Sequence, residues 1–145
     1  MKITHADQVT YPKFTKYVKE SIIKVAEVQS IVNAFQKYGQ IDRATLKRAL
    51  KWNEGPNIHI APDPDNYGTF NGEVDPDTIN LDSDTVKEFE DGHGLRKTKW
   101  GKDVYLIGAK LLHELIHWAD FRDGIDFPDE EGEQFEKDVY GKVIH

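Results

Sequence analysis

The segment at residues 111–124, LLHELIHWADFRDG, constrains the fold of this chain more than any other part of its sequence. Its two histidines, His113 and His117, are four positions apart, which puts them one turn apart on the same face of an α-helix. Both imidazoles can therefore bind one metal ion at about 2.0–2.1 Å. Glu114 projects beside the ion, where its carboxylate can accept a proton from a water that the metal activates. The segment predicts an HExxH helix that carries a catalytic metal.

The residues around the motif favour a metal site over a buried helix with two incidental histidines. Two imidazoles and a carboxylate inside an apolar helix each need a partner to offset their desolvation. We expect the metal to be zinc, because imidazole and carboxylate ligands with one open position suit it, although nickel, cobalt and copper accept the same donors. The apolar residues that predict burial of this helix are Val104, Leu106, Ile107, Leu111, Leu112, Leu115, Ile116 and Trp118.

Two histidines leave a third ligand to be found, and one candidate lies just after the motif. Asp123 follows His117 by six residues, a spacing that one group of zincins uses for its third ligand. That geometry needs a sharp turn at a glycine three residues after the second histidine, and this chain has Asp120 there. Asp123 is therefore the third choice, and Asp120 is either an acceptor for a ligand imidazole or a solvated carboxylate at the helix end.

The other two candidates lie on the final helix. Glu136 falls beside the apolar face of that helix, whereas Glu133 falls towards solvent. A carboxylate on the inward face needs a partner, and a metal would be one. We expect Glu136 to be the third ligand, with Glu133 as the second choice. The residues that define the inward face, at steps of four, are Phe135, Val139 and Val143.

Tyr140 follows Glu136 by four residues and points in a similar direction on a helix. We predict that its hydroxyl helps to stabilise the oxyanion of the tetrahedral intermediate, as a neutral donor would. The alternative is an aromatic residue that packs near the helix end.

The rest of the chain predicts a single α+β domain spanning residues 1–145. Apolar residues at helical spacing predict a long helix over 12–37, and Asp42 is a plausible N-cap of a second helix. Short strands are predicted at 57–62, in YGTFNG and in DTINLD. We expect the DTINLD strand to be the sheet edge along which an extended substrate binds. A helix follows Asp82 or Ser83, a loop precedes the motif helix at about 103–121, and Gly124 fits the end of that helix. The prediction is a mainly helical, zincin-like fold with a small mixed or antiparallel sheet, in which a ligand-bearing C-terminal helix follows the motif helix.

Composition excludes several classes of protein. The formal net charge of −7 argues against a nucleic-acid backbone as partner. The chain has no cysteine, so it has no disulfide and no Cys-based zinc site. No apolar run approaches the length of about 18 residues that a membrane helix needs, and the N-terminal sequence MKITHADQVTYPKF lacks the apolar run of a signal peptide. We expect no membrane partner, and either export without a cleaved signal peptide or a cytoplasmic location.

The stretch HELIHWADFRDGIDFPDEEGEQFEKDVYG, at residues 113–141, resembles the metallopeptidase toxin domains of bacterial polymorphic toxin systems. The residues that carry the resemblance are HELIH, the DG at 123–124, and the pattern EEG, FE and YG up to position 141. The resemblance implies a zincin fold, a zinc-dependent peptidase activity and delivery by a specialised secretion system. It also implies a glutamate ligand from the helix after the motif helix, a position that Glu136 matches best.

The motif predicts a zinc metalloendopeptidase of the gluzincin type, and the resemblance implies that it acts as a secreted bacterial effector. We expect a monomer that cleaves a protein or peptide substrate and that has an immunity protein as a further partner. Two alternatives stay open: a housekeeping metallopeptidase and a non-catalytic zinc-binding module. A closed zinc site would need a fourth protein ligand such as Asp120 or Glu133, and it would have no use for Glu114.

Overall fold

The computed structural model describes residues 1–123, apart from the side chain of Asp123, and residues 130–145. The strands are β1 (Lys2–Ile3), β2 (Asn57–Ala61), β3 (Gly68–Thr69), β4 (Thr78–Asp82), β5 (Leu95–Lys97) and β6 (Asp103–Tyr105). The helices are α1 (His5–Thr10), α2 (Pro12–Glu20), α3 (Gln29–Ala34), α4 (Arg43–Leu50), α5 (Ser83–Glu90), α6 (Leu106–Asp123) and α7 (Glu131–Tyr140). This architecture confirms the α+β class with a small mixed sheet.

The helical region before residue 40 is interrupted, so the prediction of one long helix over 12–37 is wrong. After α2 the chain forms a 3₁₀ segment, Ile22–Glu27, and after α3 it forms a π-helical turn, Phe35–Gly39. The sequence SIIKVAEV contains four β-branched residues in eight, and such residues lower helix propensity. The apolar stripe still reaches the core, because its members Phe14, Val18, Ile22, Val32 and Phe35 are buried.

The main sheet has four strands in the order β1-β2-β4-β3. β1, β2 and β4 run parallel, and β3 pairs antiparallel with β4. The expectation that DTINLD forms a sheet edge is wrong, because β4 has a partner on each side and β3 forms the edge beyond it. One face of the sheet faces the core through Ile58, Ile60, Ile79 and Leu81.

A second, two-stranded sheet leads into the motif helix. β5 and β6 form an antiparallel hairpin that the sequence did not predict, since we expected a loop followed by the start of the helix near residue 103. Gly101 adopts φ +79° in the turn of this hairpin, a conformation that favours glycine. α6 therefore begins at Leu106, directly after β6.

α6 is the central helix of the core and packs against α7, β4 and the Phe35–Gly39 turn. Two predicted caps on other helices are confirmed, because Asp42 accepts a hydrogen bond from the Thr45 amide and Asp82 from the Thr85 amide. The predicted helix end at Gly124 and the connection after it lie outside the described residues. Over the part of the chain that the structure describes, no helix is both long and apolar enough to cross a bilayer.

Candidate metal centre

The two histidines of α6 lie side by side on one face, as their spacing predicts. The ring centroids of His113 and His117 are 5.2 Å apart, and both side chains are partly buried. Their Nε2 atoms face the same carboxylate, that of Glu130. The helix thus presents two nitrogen donors to one point, which a metal site requires.

Glu130 immediately precedes α7 and uses its two carboxylate oxygens differently. Oε1 lies 2.5 Å from Nε2 of His117 and 3.4 Å from Nε2 of His113. Oε2 accepts a hydrogen bond of 2.5 Å from the amide of Glu133 and so caps the helix. Among the described residues, His113, His117 and Glu130 form a group whose ligand atoms all lie within 4.8 Å of one another.

The Nδ1 atom of each histidine contacts a carboxylate of α7. Nδ1 of His113 lies 2.5 Å from Oε2 of Glu136, and Nδ1 of His117 lies 2.7 Å from Oε1 of Glu131. A carboxylate that accepts the Nδ1–H bond fixes the tautomer and the orientation of an imidazole, and it leaves Nε2 as the donor to a metal. Both α7 residues are buried, so these hydrogen bonds are shielded from water.

Glu136 is fully buried, which confirms that it lies on the inward face of α7. Its carboxylate contacts Nδ1 of His113 rather than Nε2, and its remaining partners are Lys110 and the amide of Ile144. Its assignment as a metal ligand stays a prediction. Of the other two candidates, Glu133 is exposed, and the side chain of Asp123 lies outside the described residues.

Glu114 lies beside the histidines, as the motif predicts. Its Oε1 is 3.9 Å from Nε2 of His113, and its side chain is buried. Burial raises the pKa of Glu114, while the nearby imidazoles oppose that rise. Gly68 of the edge strand β3 is a close neighbour, since a Cβ built on it would contact Cγ of Glu114. The carboxylate therefore lies between Nε2 of His113 and the edge of the sheet.

The charges of the cluster match a divalent cation. Burial lowers the pKa of His113, but its contacts with Glu130 and Glu136 outweigh burial and raise that pKa to about 9. Burial also lowers the pKa of His117, but its contact with Glu130 raises that pKa, and the net shift is upward. Burial raises the pKa of Glu130, but the two histidines hold it well below its usual range. These carboxylates favour positive charge at the two imidazoles, and a divalent cation at the Nε2 atoms would supply such charge.

Gly132, in the first turn of α7, packs closely against the Nε2 side of the His113 imidazole. A Cβ built on this glycine would overlap the imidazole of His113, and Nε2 would be its nearest atom. A larger residue would therefore push the ring out of its present position. The converging nitrogens and the carboxylate of Glu130 together fit a metal ion.

Two further residues named from the sequence are buried. Tyr140 is buried and packs edge-to-face on Phe135, with ring centroids 6.0 Å apart. Burial holds the pKa of its hydroxyl well above the usual range, so the group is a neutral donor. Its role at the oxyanion stays a prediction. Asp120 is buried too, which removes the alternative of a solvated carboxylate.

Sequence reasoning missed four residues of this centre: Lys110, Glu130, Glu131 and Gly132. Lys110 carried a usable signal, because a lysine in an apolar helix needs a buried partner. Glu130 and Glu131 resembled ordinary acidic residues at a helix start, where they favour the helix dipole. Nothing in the local sequence separates that role from a contact with the histidines of α6.

A comparison with family models gives one match. The model described as metallopeptidase toxin 3 matches residues 7–141, which is nearly the whole chain. No curated protein and no solved structure in the comparisons matches this chain.

Proposed function

The chain belongs to the metallopeptidase toxin 3 family, and on that premise we propose that its peptidase centre is a zinc site held by His113, His117 and Glu130. The chain is therefore a metallopeptidase toxin domain, whereas the zinc, its ligands and the gluzincin-type arrangement are our proposal. The observation that carries it is the convergence of both Nε2 atoms on Glu130, with each Nδ1 atom bound to its own carboxylate.

Glu130 is a better third ligand than Glu136 in this arrangement. Glu136 already makes four contacts through its two oxygens: two with Lys110, one with His113 and one with the Ile144 amide. A carboxylate has about four lone-pair sites, so none is left for a metal. Oε1 of Glu130 is directed at the imidazoles. Glu130 is also a glutamate from the segment after the motif helix, as the family resemblance implies for the third ligand.

When bound, zinc supplies a Lewis acid that acidifies water and polarises the carbonyl of the peptide bond. Glu114 handles the proton: its carboxylate accepts one from water and delivers it to the amine that leaves. Glu131 and Glu136 hold the two imidazoles in the tautomer that leaves Nε2 unprotonated towards the metal. Tyr140 is the proposed neutral donor to the oxyanion.

The substrate we propose is a protein or peptide that binds in extended form along β3. This strand is at the sheet edge, and Gly68 lies next to Glu114. An extended chain that adds to an exposed edge gains backbone hydrogen bonds and places its peptide bonds in register with the strand. Delivery by a specialised secretion system and neutralisation by an immunity protein are the remaining proposals, and the toxin family supports both.

Glu114→Gln separates catalysis from metal binding. We expect the variant to bind one zinc ion per chain, as the wild type does, and to lose about 10²–10⁴-fold in kcat because the proton acceptor is gone. Zinc content by mass spectrometry and cleavage of an unfolded protein substrate measure the two properties. His117→Ala is the matched control and should lose both. Wild-type cleavage by Glu114→Gln would end the proposed mechanism.

A further inference from the structure

Lys110 is a buried lysine inside the motif helix, three residues before His113. Its side chain is 7% exposed, and lysine is almost never buried to this extent without a partner. It is neither a metal ligand nor the proton acceptor in the function proposed above. Its position therefore needs a separate explanation.

The partner of Lys110 is Glu136. Nζ lies 3.0 Å from Oε1 and 3.1 Å from Oε2, so the ammonium contacts both oxygens of the carboxylate. Oε2 also contacts Nδ1 of His113, and Oε1 accepts a hydrogen bond of 3.0 Å from the Ile144 amide. A chain of contacts thus runs from Lys110 through Glu136 to the imidazole.

Lys110 is itself fixed on its other side by an aromatic ring. Nζ lies 5.1 Å from the ring centroid of Tyr67, within the range of a cation–π contact. Tyr67 directly precedes Gly68, the neighbour of Glu114. The ammonium therefore connects α6, α7 and the segment that enters the edge strand.

We propose that Lys110 is a positioning residue that orients Glu136, so that this carboxylate accepts the Nδ1–H bond of His113 and keeps Nε2 directed at the metal. The part that concerns the metal rests on the function proposed above. Without the ammonium, Glu136 would be a buried carboxylate short of partners, and its orientation would no longer be fixed.

His117 provides an internal comparison. Its Nδ1 contacts Glu131, and over the described residues no lysine or arginine pairs with that carboxylate. Loss of Lys110 should therefore affect His113 and leave His117 unchanged. A general loosening of the fold would affect both histidines.

The first test uses the metal-free full chain and the variant Lys110→Met, which keeps an unbranched side chain as far as Cε and removes the charged Nζ. Proton–nitrogen-15 correlation NMR detects the Nδ1–H group of each histidine. We expect the His113 signal to shift or broaden in the variant and the His117 signal to stay. Lys142→Met, a change at an exposed lysine, is the control and should leave both signals unchanged. An unchanged His113 signal in Lys110→Met would overturn the proposal.

The second test measures zinc affinity by competition with a chelator. Loss of a partner that orients a metal ligand typically weakens affinity by about 10–100-fold, which is the effect we expect for Lys110→Met and for Glu136→Gln. The double variant combines Lys110→Met with Glu136→Gln and leaves neither member of the buried pair charged. It therefore also tests the proposal if Lys110→Met alone does not fold. If Lys110 acts through Glu136, the double variant should bind zinc no more weakly than Glu136→Gln alone.

The outcomes separate this proposal from the proposed function. A loss in the double variant equal to the product of both single losses would show independent effects and would overturn the role of Lys110. If the wild type binds no zinc but the NMR signals change as expected, the zinc site is wrong and the positioning role is upheld. The visible spectrum of the cobalt-substituted protein adds a check, since a purely structural lysine would leave it unchanged.

Discussion

Glu130 has two roles that its two oxygens divide between them. Oε2 caps α7 through the Glu133 amide, and Oε1 lies against the Nε2 atoms of both histidines. A short side chain with one oxygen could cap α7 but could not also reach the Nε2 atoms of the histidines. The two roles can therefore be separated by substitution.

Glu130→Ser should keep the helix cap and lose the metal. Serine is a good N-cap residue, so we expect the free energy of unfolding of the metal-free protein to change by less than about 1 kcal/mol. We expect zinc affinity to fall at least about tenfold, since one of three ligands is gone. Titration with zinc against a chelator measures affinity, and urea unfolding measures stability. Glu133→Ser is the control and should bind zinc normally.

The competing prediction about Glu136 is decided by the same titration. If Glu130→Ser binds zinc with wild-type affinity, Glu130 is not a ligand, and Glu136 regains its place as the first candidate. Glu136→Gln alone does not decide the matter, because it weakens the site whether Glu136 binds the metal or orients His113.

At the scale of elements, the centre is formed by the packing of α7 on α6. α6 supplies both histidines, Glu114 and Lys110, while α7 and the residue before it supply Glu130, Glu131 and Glu136. The two helices approach closely at Gly132, where a side chain would overlap His113. The distance between these helices therefore depends on a glycine.

Gly132→Ala should weaken metal binding although alanine is the better helix former. Intrinsic propensity favours alanine over glycine by about 1 kcal/mol. The added Cβ would displace the imidazole of His113, so we expect zinc affinity to fall at least about tenfold with helical content unchanged. Circular dichroism and zinc titration measure the two quantities. Lys137→Ala, on the exposed face of the same helix, should change neither, and a Gly132→Ala protein with wild-type affinity would contradict the close packing.

At the scale of the whole molecule, the proposed metal site joins the motif helix α6 to the segment that begins α7. A ligand that binds the folded but not the unfolded protein stabilises it by about 2.7 kcal/mol at a free concentration of 100 Kd. For a chain of this size each kcal/mol raises Tm by about 2–4 °C. Zinc at that concentration should therefore raise Tm by roughly 5–11 °C.

Thermal unfolding with zinc and with excess chelator measures this shift. Glu114→Gln should show the wild-type shift, because the proposed base is not a ligand. His117→Ala should show none. A wild-type protein with the same Tm under both conditions, or a full shift in His117→Ala, would contradict the proposed site.

The sequence by itself determined the class of fold, the motif helix, two caps and the convergence of two histidines with Glu114 beside them. These features depend on local rules, chiefly the 3.6-residue period of a helix and the choice of residues at its first turn. It also determined that Glu136 is buried, because the apolar face of α7 includes that position.

Only the tertiary structure decided which carboxylate faces which nitrogen. Whether Glu130, Glu131 or Glu136 meets Nε2 or Nδ1 depends on the distance and angle between α6 and α7, and no periodicity within either helix contains that information. The partner of Lys110, the hairpin before α6 and the place of β3 at the sheet edge likewise depend on contacts between residues distant in sequence. The pattern specified that buried charges needed partners, and the packing of the two helices specified which partners they have.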